Sequence, residues 1–293
     1  MTNFDYYAPT KVVFGKGTED QAGDLVREQR ATKVLVHYGS GSVKRSGLLE
    51  RIYQSLEQAG IPFVSLGGVV PNPRLSLVYQ GIELCKKEHV DFILAVGGGS
   101  VIDSGKAIGY GVANEGDVWD FYERKRVAAG CLPIGVVLTI AAAGSEMSNS
   151  SVITNEDGWL KRGYGNDCCR ARFAVMDPEL TMTLPKYQTA SGCVDIMMHT
   201  MERYFVNVET MEITDSISES LMQTVIYNAR ILLNEPGNYN ARAEIMWAGS
   251  LSHNGITGLG AEKDFAVHQL GHELVAVTGP AISWNTNSAA CLM

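Results

Sequence analysis

Two segments of the chain constrain its fold more than any others. Lys33-Val34-Leu35-Val36-His37-Tyr38 runs into Gly39-Ser40-Gly41-Ser42, and Asp91-Phe92-Ile93-Leu94-Ala95-Val96 runs into Gly97-Gly98-Gly99-Ser100. Neither apolar run alternates with polar residues, so each reads as a strand covered on both faces, the environment of a parallel sheet. Each glycine turn opens a helix, the first near Val43 and the second over residues 101–112. Lys11–Phe14 reads as a first strand, followed by a helix with Leu25 and Val26 inward. A strand over 62–66 comes next, then Pro71-Asn72-Pro73 and a helix to about His89, and a strand over 135–138. Strand alternating with helix predicts a doubly wound α/β unit.

The pattern changes near Pro185. Short β-like pieces at 151–154 and Phe173–Met176 precede it; afterwards helical periodicity covers 188–206, 214–233, 241–254 and 262–275. A length of 293 residues suits two domains, and 45% hydrophobic residues suit sizeable cores. The expected division is an α/β domain over 1–185 and an all-α domain over 186–293.

Glycine turns at strand ends bind phosphates. Glycine admits the ligand close to the backbone, several N–H groups converge, and the helix dipole favours an anion. Such turns also serve simply as tight turns. Two in one sheet, with Asn72 after a third strand, favour a dinucleotide. Position 39 is glycine where a carboxylate would select an unphosphorylated ribose, and Lys44-Arg45 follow, which favours NADP(H) over NAD(H) unless both are plain solvated residues.

The helical half contributes Asp195-Ile196-Met197-Met198-His199 and His268-Gln269-Leu270-Gly271-His272. Polar residues four apart share one helix face, and a carboxylate with imidazoles at that spacing can hold one divalent ion. A hydrogen-bonded polar pair at a helix interface is the competing reading. Two histidines and a carboxylate suit Fe(II) and Zn(II) equally. Glu202 and Arg203 either orient a ligand or form an intrahelical ion pair, and His253 reads as a core or interface histidine.

A net charge of −8, a pI near 5.3 and no basic run longer than three residues argue against nucleic acid or anionic membranes as partners. No signal peptide or spanning segment is legible, and six cysteines without a CxxC pair predict a reduced, cytoplasmic protein.

Taken in order, Gly97-Gly98-Gly99-Ser100-Val101-Ile102-Asp103, Gly144-Ser145-Glu146-Met147, Asp177-Pro178, Asp195 with His199, and His268 with His272 resemble the iron-containing alcohol dehydrogenase family. Tyr38-Gly39-Ser40-Gly41-Ser42-Val43-Lys44 and Gly271-His272-Glu273-Leu274 resemble its butanol dehydrogenase and NADPH-dependent aldehyde reductase subgroup. The resemblance spans about Phe4 to Glu273. It implies an α/β dinucleotide-binding domain followed by an all-α metal-binding domain, the dehydroquinate synthase-like architecture, and a homodimer. It implies hydride transfer between NADP(H) and a small aldehyde or primary alcohol, with one divalent metal. Asp195, His199 and His268 take the metal-ligand positions and His272 the catalytic position near the nicotinamide. Gly39, Gly41 and Ser42 match adenosine-side contacts, and Gly97, Gly98, Gly99 and Ser100 the pyrophosphate loop. Asp103, Thr139, Ser145 and Lys161 match nucleotide- or nicotinamide-side positions, and Ala143 stands where many members carry threonine.

The family's fourth ligand, a histidine about fourteen residues beyond the third, has Ile282 in its place, and the tail 279–288 lacks helical pattern. On that basis the helical domain is expected to be incomplete, the C-terminus truncated, and metal occupancy and activity low. A non-catalytic nucleotide-binding remnant, a polyol dehydrogenase and a dehydroquinate synthase-like enzyme are the other readings.

Overall fold

The structure, a computed structural model, describes residues 1–208, 211–262 and 265–278. The chain forms two compact units, one of Pro9–Thr139 and Asn149–Asp177, the other of Met1–Ala8, Ile140–Ser148 and the residues from Pro178 on.

The first unit contains β1 (Lys11–Phe14), α1 (Ala22–Glu28), β2 (Val34–Gly39), α2 (Ser42–Arg45), α3 (Leu48–Gln58), β3 (Phe63–Val69) and α4 (Leu75–Glu88). It continues with β4 (Phe92–Gly97), α5 (Gly99–Ala113), α6 (Trp119–Tyr122), β5 (Ile134–Leu138), β6 (Ser150–Asn155), β7 (Leu160–Gly165) and β8 (Phe173–Met176). Six strands make one sheet in the order β1-β8-β5-β4-β2-β3, every pair parallel. The apolar runs behave as their composition demands: residues 34–38 of β2 and all of β4, β5 and β8 are buried. β2 and β4 are neighbours, yet the chain leaves β2 for β3 on one side and β4 for β5 on the other. The C-terminal ends of β2 and β4 therefore flank a topological switch point, where open α/β sheets bind ligands.

β6 and β7 form a separate antiparallel hairpin. The sequence does not mark β7 as a strand. Its sequence Leu-Lys-Arg-Gly-Tyr-Gly has no apolar alternation, and the chain reverses before it through Gly158 and Trp159, both at positive φ. Pairing with β6 supplies the order that local propensity does not.

The second unit is helical: α7 (Lys186–Tyr204), α8 (Glu212–Asn234), α9 (Tyr239–His253) and α10 (Ala266–Thr278). Cys193 and Ile196 of α7, Leu221, Val225 and Leu232 of α8, and Ala241, Ile245 and Ala248 of α9 share one core. Residues 140–148 join this unit, and one reason is visible at Gly192, where an added Cβ would stand 2.3 Å from the Ala141 carbonyl oxygen. Only glycine lets the segment lie so close to α7. Where a single crossing between 185 and 186 is expected from sequence, the chain thus passes between the units several times. The fourth helix, expected over 262–275, is α10; Lys263, Asp264, Ile282 and the tail 279–288 lie outside the described residues. Among the described residues no helix is long and apolar enough to cross a membrane.

Candidate functional site

Helix α7 presents Asp195 and His199 one turn apart, and both are buried. His268, in the first turn of α10, completes a buried group in which one donor atom from each residue lies within 4.8 Å of the others. The rings of His199 and His268 stack with centroids 4.5 Å apart. Nδ1 of His199 and Nε2 of His268 are buried with no hydrogen-bond partner. His268 Nε2 stands 3.7 Å from Asp195 Oδ1, too far for a hydrogen bond.

Buried nitrogens without partners cost free energy unless something binds them. A divalent ion fits these residues. Donors about 2.1 Å from one tetrahedral ion stand about 3.4 Å apart, so a set already within 4.8 Å closes around an ion by side-chain movements on the order of 1 Å. Protonation points the same way. Burial holds the His199 imidazole neutral, with its pKa lowered to about 3, and leaves a lone pair for a ligand. Burial alone would also lower His268, but the Asp195 and Glu202 carboxylates outweigh it and raise the pKa to about 9. Positive charge is therefore welcome at the position facing Asp195.

Glu202 and Arg203 surround this group. Glu202 accepts hydrogen bonds from the backbone N–H and from Nδ1 of His268. Arg203 donates to the carbonyl oxygens of His199 and Ser252 at 2.7 and 2.9 Å and to Nδ1 of His253 at 2.9 Å, and its guanidinium lies over the Phe265 ring. Both side chains of this pair thus bond to residues of other helices, Glu202 to His268 and Arg203 to Ser252 and His253. His253 is more than a core histidine, since its ring centroid is 4.3 Å from that of His199. No local signal marks it: the contact joins α9 to α7 across 54 residues of chain. His272 follows His268 by one turn of α10 and is half-buried. Ser145, buried in the 140–148 segment, precedes Glu146, which accepts a 2.5 Å hydrogen bond from Ser250 of α9.

In the α/β unit the other sequence-selected residues gather along the C-terminal edge of the sheet. Gly39 ends β2, Gly41 and Ser42 open α2, Asn72 follows β3 at positive φ, Gly97 ends β4, Gly98, Gly99 and Ser100 start α5, and Thr139 follows β5. The Thr139 N–H donates to the Gly97 carbonyl at 3.1 Å. Gly97 has to be glycine for packing as well, because a Cβ there would stand 2.5 Å from Val101 Cγ2. Gly39 is roomier, its nearest neighbour being the Val69 carbonyl oxygen at 3.6 Å from an added Cβ. The Arg45 guanidinium lies against Gly41, and Lys44 Nζ sits 5.1 Å from the Tyr38 ring centroid. Asp103, on α5, carries a structural duty: its carboxylate accepts from the Val152 N–H at 3.0 Å and ties the helix to β6. Lys161 is a buried residue of β7.

Comparison with known proteins agrees with this architecture. Residues 9–178 match the family described as iron-containing alcohol dehydrogenase, and residues 189–280 match the C-terminal part of the Fe-containing alcohol dehydrogenase family. The chain is 44% identical to the NADH-dependent butanol dehydrogenase A of Clostridium acetobutylicum over 276 residues, 94% of this chain and 71% of that protein. It is 38% identical to the NADPH-dependent aldehyde reductase of Escherichia coli, over 95% of this chain and 72% of that protein. The crystal structure of the NADH-dependent butanol dehydrogenase A of Thermotoga maritima superposes with a TM-score of 0.94 at 38% identity, covering 99% of this chain and 71% of that one. A parallel six-stranded α/β part, a helical part with a buried Asp-His-His group, and matches of this extent lead to one conclusion: the chain belongs to the iron-containing alcohol dehydrogenase family.

Proposed function

We propose that the protein is a metal-dependent alcohol dehydrogenase or aldehyde reductase, transferring a hydride between NADP(H) and a small aldehyde or primary alcohol. The observation that carries this reading is the convergence of Asp195, His199 and His268 with two buried nitrogens left unpaired. In this reading these three residues hold one divalent ion, Fe(II) or Zn(II), and the helical unit is the metal-binding part while the α/β unit carries the dinucleotide. When bound, the ion supplies Lewis acidity and the nicotinamide supplies or accepts the hydride. Asp195 contributes the negative charge that offsets part of the ion's, and neutral His199 contributes a lone pair without a proton to lose. Gly97, Gly98, Gly99 and Ser100 offer backbone N–H groups at the start of a 15-residue helix, a setting suited to a pyrophosphate. His272 serves as the group that passes a proton to or from the substrate oxygen.

NADP(H) is favoured by the room at Gly39 and by the Arg45 guanidinium beside Gly41. NAD(H) is the second reading, because the 44% identical relative is named NADH-dependent. Metal analysis of the purified chain, with and without His199→Ala, tests the centre; no bound iron or zinc in either would overturn it. Fluorescence titration with both nucleotides tests the other half. NADPH is expected to bind more tightly, and Gly39→Asp to weaken NADPH while sparing NADH; tighter NADH binding by the unaltered chain would reverse the assignment.

A further inference from the structure

We propose that Glu202 is the positioning residue of this centre: its carboxylate holds His268 with Nδ1 protonated, leaving Nε2 as the only ring nitrogen able to bind an ion. The inference rests on the metal-binding reading of Asp195, His199 and His268.

Residues 195, 199 and 202 follow one another by four and three, so they form a single stripe along α7. The first two belong to the ligand set. The third reaches 66 positions along the chain to His268 and uses both of its oxygens there. Oε1 accepts the His268 backbone N–H at 3.1 Å. His268 is the third residue of α10, and N–H groups in a first helical turn have no partner inside their own helix. A carboxylate at that end also meets the positive pole of the helix dipole. Oε2 meets Nδ1 of the same residue. An ionised carboxylate only accepts, so Nδ1 is the donor. One side chain thus fixes where α10 begins and which way its histidine faces.

The consequence appears on the other side of the ring. Nε2 is buried, has no hydrogen-bond partner, and lies 3.7 Å from Asp195 Oδ1. Histidine ligands are oriented in this manner when a carboxylate takes the second ring nitrogen, which also makes the ligand more basic. Arg203 does not share the task, since its donors go to His199, Ser252 and His253. A residue that only capped α10 would need one oxygen on the backbone N–H and none on the imidazole.

Glutamine at 202 separates capping from positioning. Its one oxygen can serve the backbone N–H or Nδ1–H, but not both in the present geometry. If its NH2 faces Nδ1, that nitrogen becomes the acceptor and the proton moves to Nε2, where it blocks the ion.

The test is zinc titration of the full chain against a chromophoric chelator, with the visible absorption of Co(II)-loaded protein as a second readout. Glu202→Gln is expected to lose roughly 10- to 100-fold in zinc affinity and to shift the Co(II) band. Glu202→Asp, which keeps the carboxylate, should recover part of both, and a capping role alone would move neither. Wild-type affinity and an unshifted band in Glu202→Gln would overturn the proposal. Zinc binding by the unaltered chain that ignores His199→Ala and Asp195→Asn would instead sink the underlying centre. Should Glu202→Gln fail to fold, heteronuclear imidazole spectra of zinc-loaded wild type decide. The proposal requires His268 to keep its Nδ1 proton, and a zinc-bound Nδ1 overturns it.

Discussion

Each unit buries histidine, and the two environments are opposites. His37, in β2 of the α/β unit, is fully enclosed and both ring nitrogens are used. Nδ1–H donates to the Leu66 carbonyl at 2.9 Å, and Nε2 accepts from the Ser104 hydroxyl at 2.8 Å. His199 and His268 of the helical unit are also buried, yet each leaves a nitrogen unpaired, with Asp195 beside them. A buried histidine whose hydrogen bonds are complete is part of the fold. One whose nitrogen is left open beside a carboxylate has been held back for a ligand, at a cost in stability that only binding recovers.

Substitution should separate the two kinds cleanly. His199→Ala is expected to reduce metal affinity by more than about a hundredfold, exceeding the loss usual for an outer residue, and to lower metal-free stability less than His37→Ala does, since it opens a cavity but orphans no partner of its Nδ1. His37→Ala should leave metal affinity untouched. It should lower the unfolding free energy by about 3 kcal/mol or more, through the cavity and the two orphaned partners. Chelator titration and urea unfolding of both variants check this. A His37→Ala protein that lost its metal would erase the distinction.

Much of this contrast is legible in the sequence, for a physical reason. Strands β2 and β4 announce themselves because both faces are covered and their residues do not alternate apolar with polar, and Asp195 and His199 because helical spacing stacks them on one face. What the sequence conceals depends on partners far along the chain. Glu202 acquires its role only when α10 arrives, and His253 only when α9 lies against His199. The segment 140–148 joins the helices through a close approach at Gly192 that no periodicity records. β7 is concealed for the opposite reason, since its Lys-Arg-Gly-Tyr-Gly stretch carries almost no preference of its own. The surplus glycine in the β4 turn is half legible: a phosphate loop and the demands of Val101 both ask for glycine at 97.

A pH series sharpens the comparison further. Burial lowers the His37 pKa to about 4 from the ordinary 6.5, only partly opposed by the bond to Leu66. The unfolded chain therefore takes up a proton below pH 6.5 that the native protein refuses until about pH 4. Stability from this residue is complete above the unfolded value and is lost as pH falls through that window. The loss amounts to roughly 3 kcal/mol by the bottom of it. Unfolding curves of wild type and His37→Asn at several pH values isolate the effect, because other titrating groups cancel in the difference. If the two proteins lose stability in parallel from neutral pH to pH 4, His37 is not the closed, neutral histidine described.

The smallest change is the most direct probe, because it turns one kind of histidine partly into the other. Ser104 of α5 is fully buried and donates to His37 Nε2. Ser104→Ala removes that donor with little change of volume and leaves Nε2 a buried nitrogen without a hydrogen-bond partner, as His268 Nε2 is. The expected cost is about 1–2 kcal/mol, the price of one unsatisfied buried group. The altered site should still bind no metal. No charged group is among the influences on the His37 pKa, so nothing there would offset an ion's charge as Asp195 does. Urea unfolding gives the first quantity and zinc titration the second. A Ser104→Ala protein that gained a zinc site would show that an open nitrogen suffices. Stability loss without binding would show that the carboxylate beside the open nitrogen is what makes it a ligand.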